Sequence, residues 1–132
     1  MPVQVRWYNE EKRILYYDFQ GVWTWDEYFN ALAEGRALMR AVEHQVCVLN
    51  DMRTASHIPS GFMARAQTVI GSRPDNTGRV VFIATQTFFL NLLDTVRRVL
   101  PDFGANYYYE DTEDHAVEHL TRWLNEHDSA QH

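Results

Sequence analysis

Cysteine is almost missing from this chain: Cys47 is the single one in 132 residues. An intramolecular disulfide is therefore excluded, and with it a small scaffold stapled by bridges. Prolines number 4 and glycines 6, too few for a fibrous or low-complexity chain. Basic side chains are outnumbered, 12 against 18 acidic, which leaves a formal net charge of -6. No basic stripe marks a nucleic-acid surface, so no nucleic-acid partner is expected. Apolar runs are far shorter than the roughly 20 residues that span a bilayer. No signal-peptide pattern is visible, and the expected compartment is the cytoplasm.

Apolar material itself is plentiful, with 45% hydrophobic and 14% aromatic residues. That supports one domain over residues 1–132, burying roughly two thirds of its unfolded surface without staples or metals. Val3, Val5 and Trp7 alternate with polar residues, the period of a half-buried strand. Arg13 to Gln20 follows after a short polar turn, with Leu15, Tyr17 and Phe19 on one face, so the two segments predict an antiparallel hairpin. Thr24 and Glu27 form a capping box that opens a helix expected to end near Glu43. Val46 to Leu49 and Val80 to Ala84 are continuous apolar runs, the mark of strands covered on both faces. The stretch 50–57 reads as a polar loop. A second helix is expected from Pro59-Ser60-Gly61, with Ser60 as a possible cap. Phe89, Leu92, Leu93, Val96 and Leu100 mark a third helix stopped by Pro101. Tyr107 to Tyr109 predicts a last strand, and Ala116, Val117, Leu120, Trp123 and Leu124 the inner stripe of a last helix with a polar, fraying tail from about 125. The predicted order is ββαβαβαβα: an α/β fold with a mixed sheet of about five strands and about four helices.

Three local patterns resemble the STAS domain shared by sulphate transporters and anti-sigma-factor antagonists. They are Val46 to Asp51 followed by Pro59-Ser60-Gly61-Phe62, the strand Gly78 to Ile83, and Tyr109 to Ala116 with its acidic approach to the last helix. The resemblance extends to element order across nearly the whole chain. It implies a regulatory module that docks a protein partner through the loop before the second helix, where family members carry a phosphorylatable serine. Ser60 stands at that place and Ser56 is the second choice, although Pro59 occupies the position of an expected acidic or hydroxyl residue.

The residues themselves point to the same loop. Asp51, Arg53, Ser56, His57, Ser60 and Gly61 bring a carboxylate, a guanidinium, two hydroxyls, an imidazole and a helix start to the carboxyl edge of the sheet, where α/β proteins collect ligands. The plainer reading of these residues is that Ser60 caps, Asp51 takes a loop amide and Arg53 pairs with a neighbouring acid. Ser56, His57 and Asp51 match no nucleophile motif, so no catalytic residue is assigned. His115 and His119 are four apart, but the glutamate of a zinc-protease helix is misplaced and no third ligand is identifiable, so no metal or other cofactor is expected. Cys47 reads as a buried hydrophobe. The aromatic excess in Trp7, Tyr8, Tyr16, Tyr17, Trp23, Trp25, Tyr28 and Phe29 permits self-association as a homodimer or a pocket for an apolar ligand. The sequence thus predicts a non-enzymatic binding module that meets a regulatory protein or a second copy of itself through residues 51–62. The alternative is a small-molecule binder with a cavity between sheet and helices, Arg53 or His57 anchoring an acidic head group.

Overall fold

Alternating side chains at Val3–Trp7 (β1) and Ile14–Gly21 (β2) pair these strands as an antiparallel hairpin, Val3 opposite Phe19 and Trp7 opposite Leu15. Asn9 shapes the turn by accepting the Glu11 amide on its side-chain oxygen, and Lys12 takes the left-handed conformation at φ 57°. The hairpin opens a computed structural model that describes residues 2–100 and 106–130. Helix α1 (Trp25–Arg40) begins with the predicted capping box: Thr24 Oγ1 accepts the Glu27 amide, and Glu27 accepts the Thr24 amide. It ends at Arg40, before the expected Glu43, with the Ala41 and Val42 amides turning back onto the Leu38 and Met39 carbonyls.

The chain continues through β3 (Val46–Ala55), α2 (Phe62–Gly71), β4 (Thr77–Ile83), α3 (Thr87–Val99), β5 (Tyr107–Glu110) and α4 (Glu113–Ala130). Among the described residues this is the predicted ββαβαβαβα order. Helix α4 remains helical to Ala130, past the point at which polar composition suggests fraying; the His127 ring stacks on Trp123 there, 3.8 Å between centroids. The sheet order is β1-β2-β3-β4-β5, with β2 to β5 parallel. Each parallel step moves one place in the same direction, so right-handed crossovers put the connecting helices on one face. Side-chain parity agrees. Leu15, Tyr17, Phe19, Met52, Val80 and Phe82 pack with residues of α1, α2 and α3. Ile14, Tyr16, Cys47, Leu49, Val81 and Ile83 pack under Ala116, Leu120 and Leu124 of α4. The continuous apolar runs are strands covered on both faces, as their composition requires.

Two glycines set how closely helix meets sheet. A Cβ on Gly35 of α1 would run into the Tyr17 hydroxyl and come within 3.0 Å of a Leu15 methyl. A Cβ on Gly78 of β4 would lie 2.6 Å from the Trp123 ring of α4.

Candidate functional site

The largest departure from expectation lies in β3, which runs through residues 50–55 where a loop was predicted. Its partner β2 continues beside it, with Asp18 opposite Asp51 and Gly21 opposite Ala55. On the other side β4 stops opposite Asp51, and the Gln86 carboxamide takes over, donating from Nε2 to the carbonyls of Met52 (2.7 Å) and Ala55 (3.1 Å). A ladder can thus be extended by one side chain, and polar composition does not end it. The consequence is a parity rule: Asp51 and Arg53 face α4, while Asn50 and Met52 face α1–α3.

Asp51 is buried beneath the start of α4. Its carboxylate accepts from the Tyr16 hydroxyl at 2.5 Å, from the Arg53 backbone amide at 3.1 Å and from Arg53 Nε and Nη2 at 2.9 and 2.6 Å. Arg53 Nη2 also donates to Glu113 Oε1 at 3.0 Å, and Glu113 Oε2 accepts from the Tyr8 hydroxyl at 2.8 Å. Burial would raise the Asp51 pKa, but the bonds from Arg53 and Tyr16 outweigh it and hold the carboxyl below its usual range. Burial and the Asp51 bond push the Tyr16 phenol well above its own. The network joins the turn after β1 to β2, β3 and α4, and Asp51 is fully partnered within it. The plainer reading of Asp51 and Arg53 is the one the geometry matches.

Ser56, His57, Ser60 and Gly61 lie apart from that network, exposed in the connection from β3 to α2. No side-chain hydrogen bond joins them to Asp51 or Arg53 among the described residues. Ser60 does not cap α2: the N-cap is Gly61, at φ 81°, without a side-chain cap bond. The left-handed conformation that starts the helix suits glycine and leaves Ser60 one place too early. The Ser60 carbonyl instead accepts from Trp25 Nε1 at 2.7 Å, tying the loop to the start of α1.

Beneath that tie lies a cavity of about 70 Å³ between the sheet and helices α1–α3. Its walls include Phe19, Trp23, Trp25, Phe62, Met52 and Phe89, with rings of Trp23, Trp25 and Tyr28 meeting edge to face. A second lobe, a distinct pocket of about 50 Å³, adjoins it toward the opposite edge of the sheet and shares Tyr28, Asn50, Val69 and Tyr107 with the first. Asn50 is 7% exposed, borders both lobes, and its side-chain amide has no hydrogen-bond partner among the described residues. The buried Trp23 Nε1 likewise has none. Burial pushes the Tyr28 phenol far above its usual range, so it stays neutral. Arg36 and Arg73 stand at the far lobe. Arg53, on the opposite face of the sheet, borders neither lobe.

Sequence reasoning does not single out Asn50, Arg36 or Arg73: 50 falls in the stretch read as a polar loop, and nothing local at 36 or 73 shows that either arginine borders a cavity. The available signal was strand parity: once β3 reaches Ala55, Asn50 falls between Val48 and Met52 on an apolar face.

Two other clusters are ordinary. His119 is part-buried: its Nδ1 lies 2.7 Å from Glu110 Oε2, its Nε2 lies 3.1 Å from Arg79 Nη1, and its ring packs on Tyr108. Glu110, Asp111 and His115 could each turn one atom toward a shared point, but Asp111 and His115 are exposed and bonded to one another at 2.7 Å. That bond raises the His115 pKa. Cys47 is buried and its thiol is pushed up to about 12 by burial, which keeps it protonated and unreactive. No helix among the described residues is long and apolar enough to cross a membrane. Compared with known proteins, the chain matches no family profile, no curated protein and no solved structure.

Proposed function

We propose that the protein is a non-enzymatic binding module that holds a small apolar ligand in the cavity between the sheet and α1–α3. One observation carries this reading: an unpartnered amide, Asn50, borders a cavity otherwise walled by rings and aliphatic groups. An amide on that apolar wall supplies a hydrogen-bonding handle that valine at the same strand position would not. A ligand with one hydrogen-bonding group can use it. An engineered cavity of about 150 Å³ takes up benzene, so the 70 Å³ lobe suits a slimmer body, or a ring with some yielding of Met52 and Phe62. Ring faces, a thioether and an amide are groups for holding a molecule.

The cavity also supports the regulatory role that the STAS resemblance implies. Trp25 is both cavity wall and donor to the Ser60 carbonyl. Filling the cavity therefore changes the seat of residues 56–61, the loop through which a regulatory protein or a second copy would read the state of the module. A phosphate on Ser60 would act on the same loop by adding charge.

The test is a titration with octan-1-ol followed by nitrogen-resolved NMR. Saturable shifts are expected at the Asn50 side-chain amide, the Trp23 indole N–H and the backbone amides of 56, 57, 60 and 61. Ala66→Phe, which fills the cavity from α2, should abolish them. Absence of saturable shifts, or shifts that Ala66→Phe leaves unchanged, would overturn the reading.

A further inference from the structure

Resting on that cavity reading, we infer that the ligand is an amphipathic carboxylate, its apolar body in the larger lobe and its head group held by Arg36 and Arg73. The two arginines come from different elements, Arg36 from the fourth turn of α1 and Arg73 from the segment after α2, yet both wall the same small lobe. Arg36 donates to the Ser72 hydroxyl and the Val69 carbonyl, each at 2.7 Å, and Arg73 to the Ile70 carbonyl at 2.7 Å. All three acceptors are neutral. Neither arginine forms an ion pair among the described residues, although acids outnumber bases 18 to 12 in this chain. Arg53 and Arg122, by contrast, have found carboxylates. The bonds to Ser72, Val69 and Ile70 fix where the guanidiniums lie and leave further N–H groups for an incoming anion.

The hydroxyl of Tyr107, which borders both lobes, feels both charges: burial pushes its pKa up, while Arg73 and Arg36 each pull it down. The two guanidiniums are thus close enough to act on one group at the junction of the lobes. Along that line the wall runs from rings, through the Asn50 amide, to paired cations. An apolar tail, a mid-chain or head-proximal hydrogen-bonding group and a terminal monoanion match it in sequence. A carboxylate suits the small lobe better than a phosphate, because its planar oxygens pair with guanidinium N–H groups and it sheds a smaller hydration shell. The head group enters at the edge of the sheet opposite loop 56–61, so the anion and the docking loop occupy opposite ends of one cavity.

Calorimetric titration with sodium octanoate and with octan-1-ol tests this on the full chain. The native protein is expected to bind octanoate at least about tenfold more tightly than octanol, with the difference shrinking as salt is raised. Arg73→Gln and Arg36→Gln should each weaken octanoate by about tenfold while leaving octanol within about twofold. The exposed side chain of Arg73 makes its one hydrogen bond among the described residues to the Ile70 carbonyl of the preceding helix, so its replacement should leave the fold in place. Octanol binding with no preference for octanoate, or variants that lose neither, would overturn the carboxylate inference and leave the cavity reading standing. Binding of neither probe to the native protein would remove both.

Discussion

At Asn50 the interior keeps an amide in a strand whose neighbours on the same face are Val48 and Met52. Replacing it with leucine, which has the same branched shape but is larger, removes the unpaired group and fills part of the cavity. The ligand-free Asn50→Leu protein is therefore expected to gain about 1 kcal/mol in urea unfolding while losing affinity for any ligand with a hydrogen-bonding group. A loss of stability would mean that the amide is already satisfied. On the other face Asp51 behaves oppositely, because every lone pair is engaged. Its carboxyl is held low in the folded state, below the unfolded value of about 3.9. Its contribution is therefore complete above that value and lost as pH falls through the folded pKa. Asp51→Asn should cost about 1–3 kcal/mol at pH 7, a range discounted because Arg53 is 39% exposed. The gap between variant and native protein should narrow as pH falls below about 3.9 and the folded carboxyl takes up its proton. A gap that does not change with pH would show that the carboxylate charge contributes nothing. Both residues were within reach of sequence reasoning only as types; which way each points depends on the strand's length, which composition misjudged.

For the elements, hydrophobic period was the readable signal. The hairpin, the capping box of α1, the buried β4, α3 and β5 are all legible because packing and capping act over a few neighbouring residues. β3 was not, since Asn50, Asp51, Arg53 and Thr54 break up its second half and the ladder there depends on Gln86, more than 30 positions away. The start of α2 was misread for a related reason: a serine before a helix suggests a cap, but the positive φ of Gly61 moves the boundary by one. The packing of α1 on β2 was equally hidden, since nothing local reveals that Gly35 admits the Tyr17 ring. Gly35→Ala should destabilise the protein by about 1–3 kcal/mol in chemical unfolding. In a Tyr17→Phe background the loss should be smaller, because the hydroxyl that meets the new methyl is gone. Equal losses in both backgrounds would show that the helix simply shifts.

Across the whole molecule, element order was sufficient to give the class of fold, because a hairpin followed by alternating helices and strands leaves few ways to bury both kinds of surface. Strand order and the division of the helices among the described residues, three on one face and one on the other, emerged only in the structure. The cavity is a property at this scale too: it needs α1, α2, α3 and the sheet together, so no short segment announces it. That uneven division of helices also bears on synthesis. As the nascent chain lengthens, each strand arrives with its connecting helix, so one face is covered step by step. The other, carrying Ile14, Cys47, Leu49, Val81 and Ile83, stays bare until α4 has been translated and docks. During that interval the half-made sheet is a sticky surface, and α4 is at once its final layer and its protection from neighbouring chains.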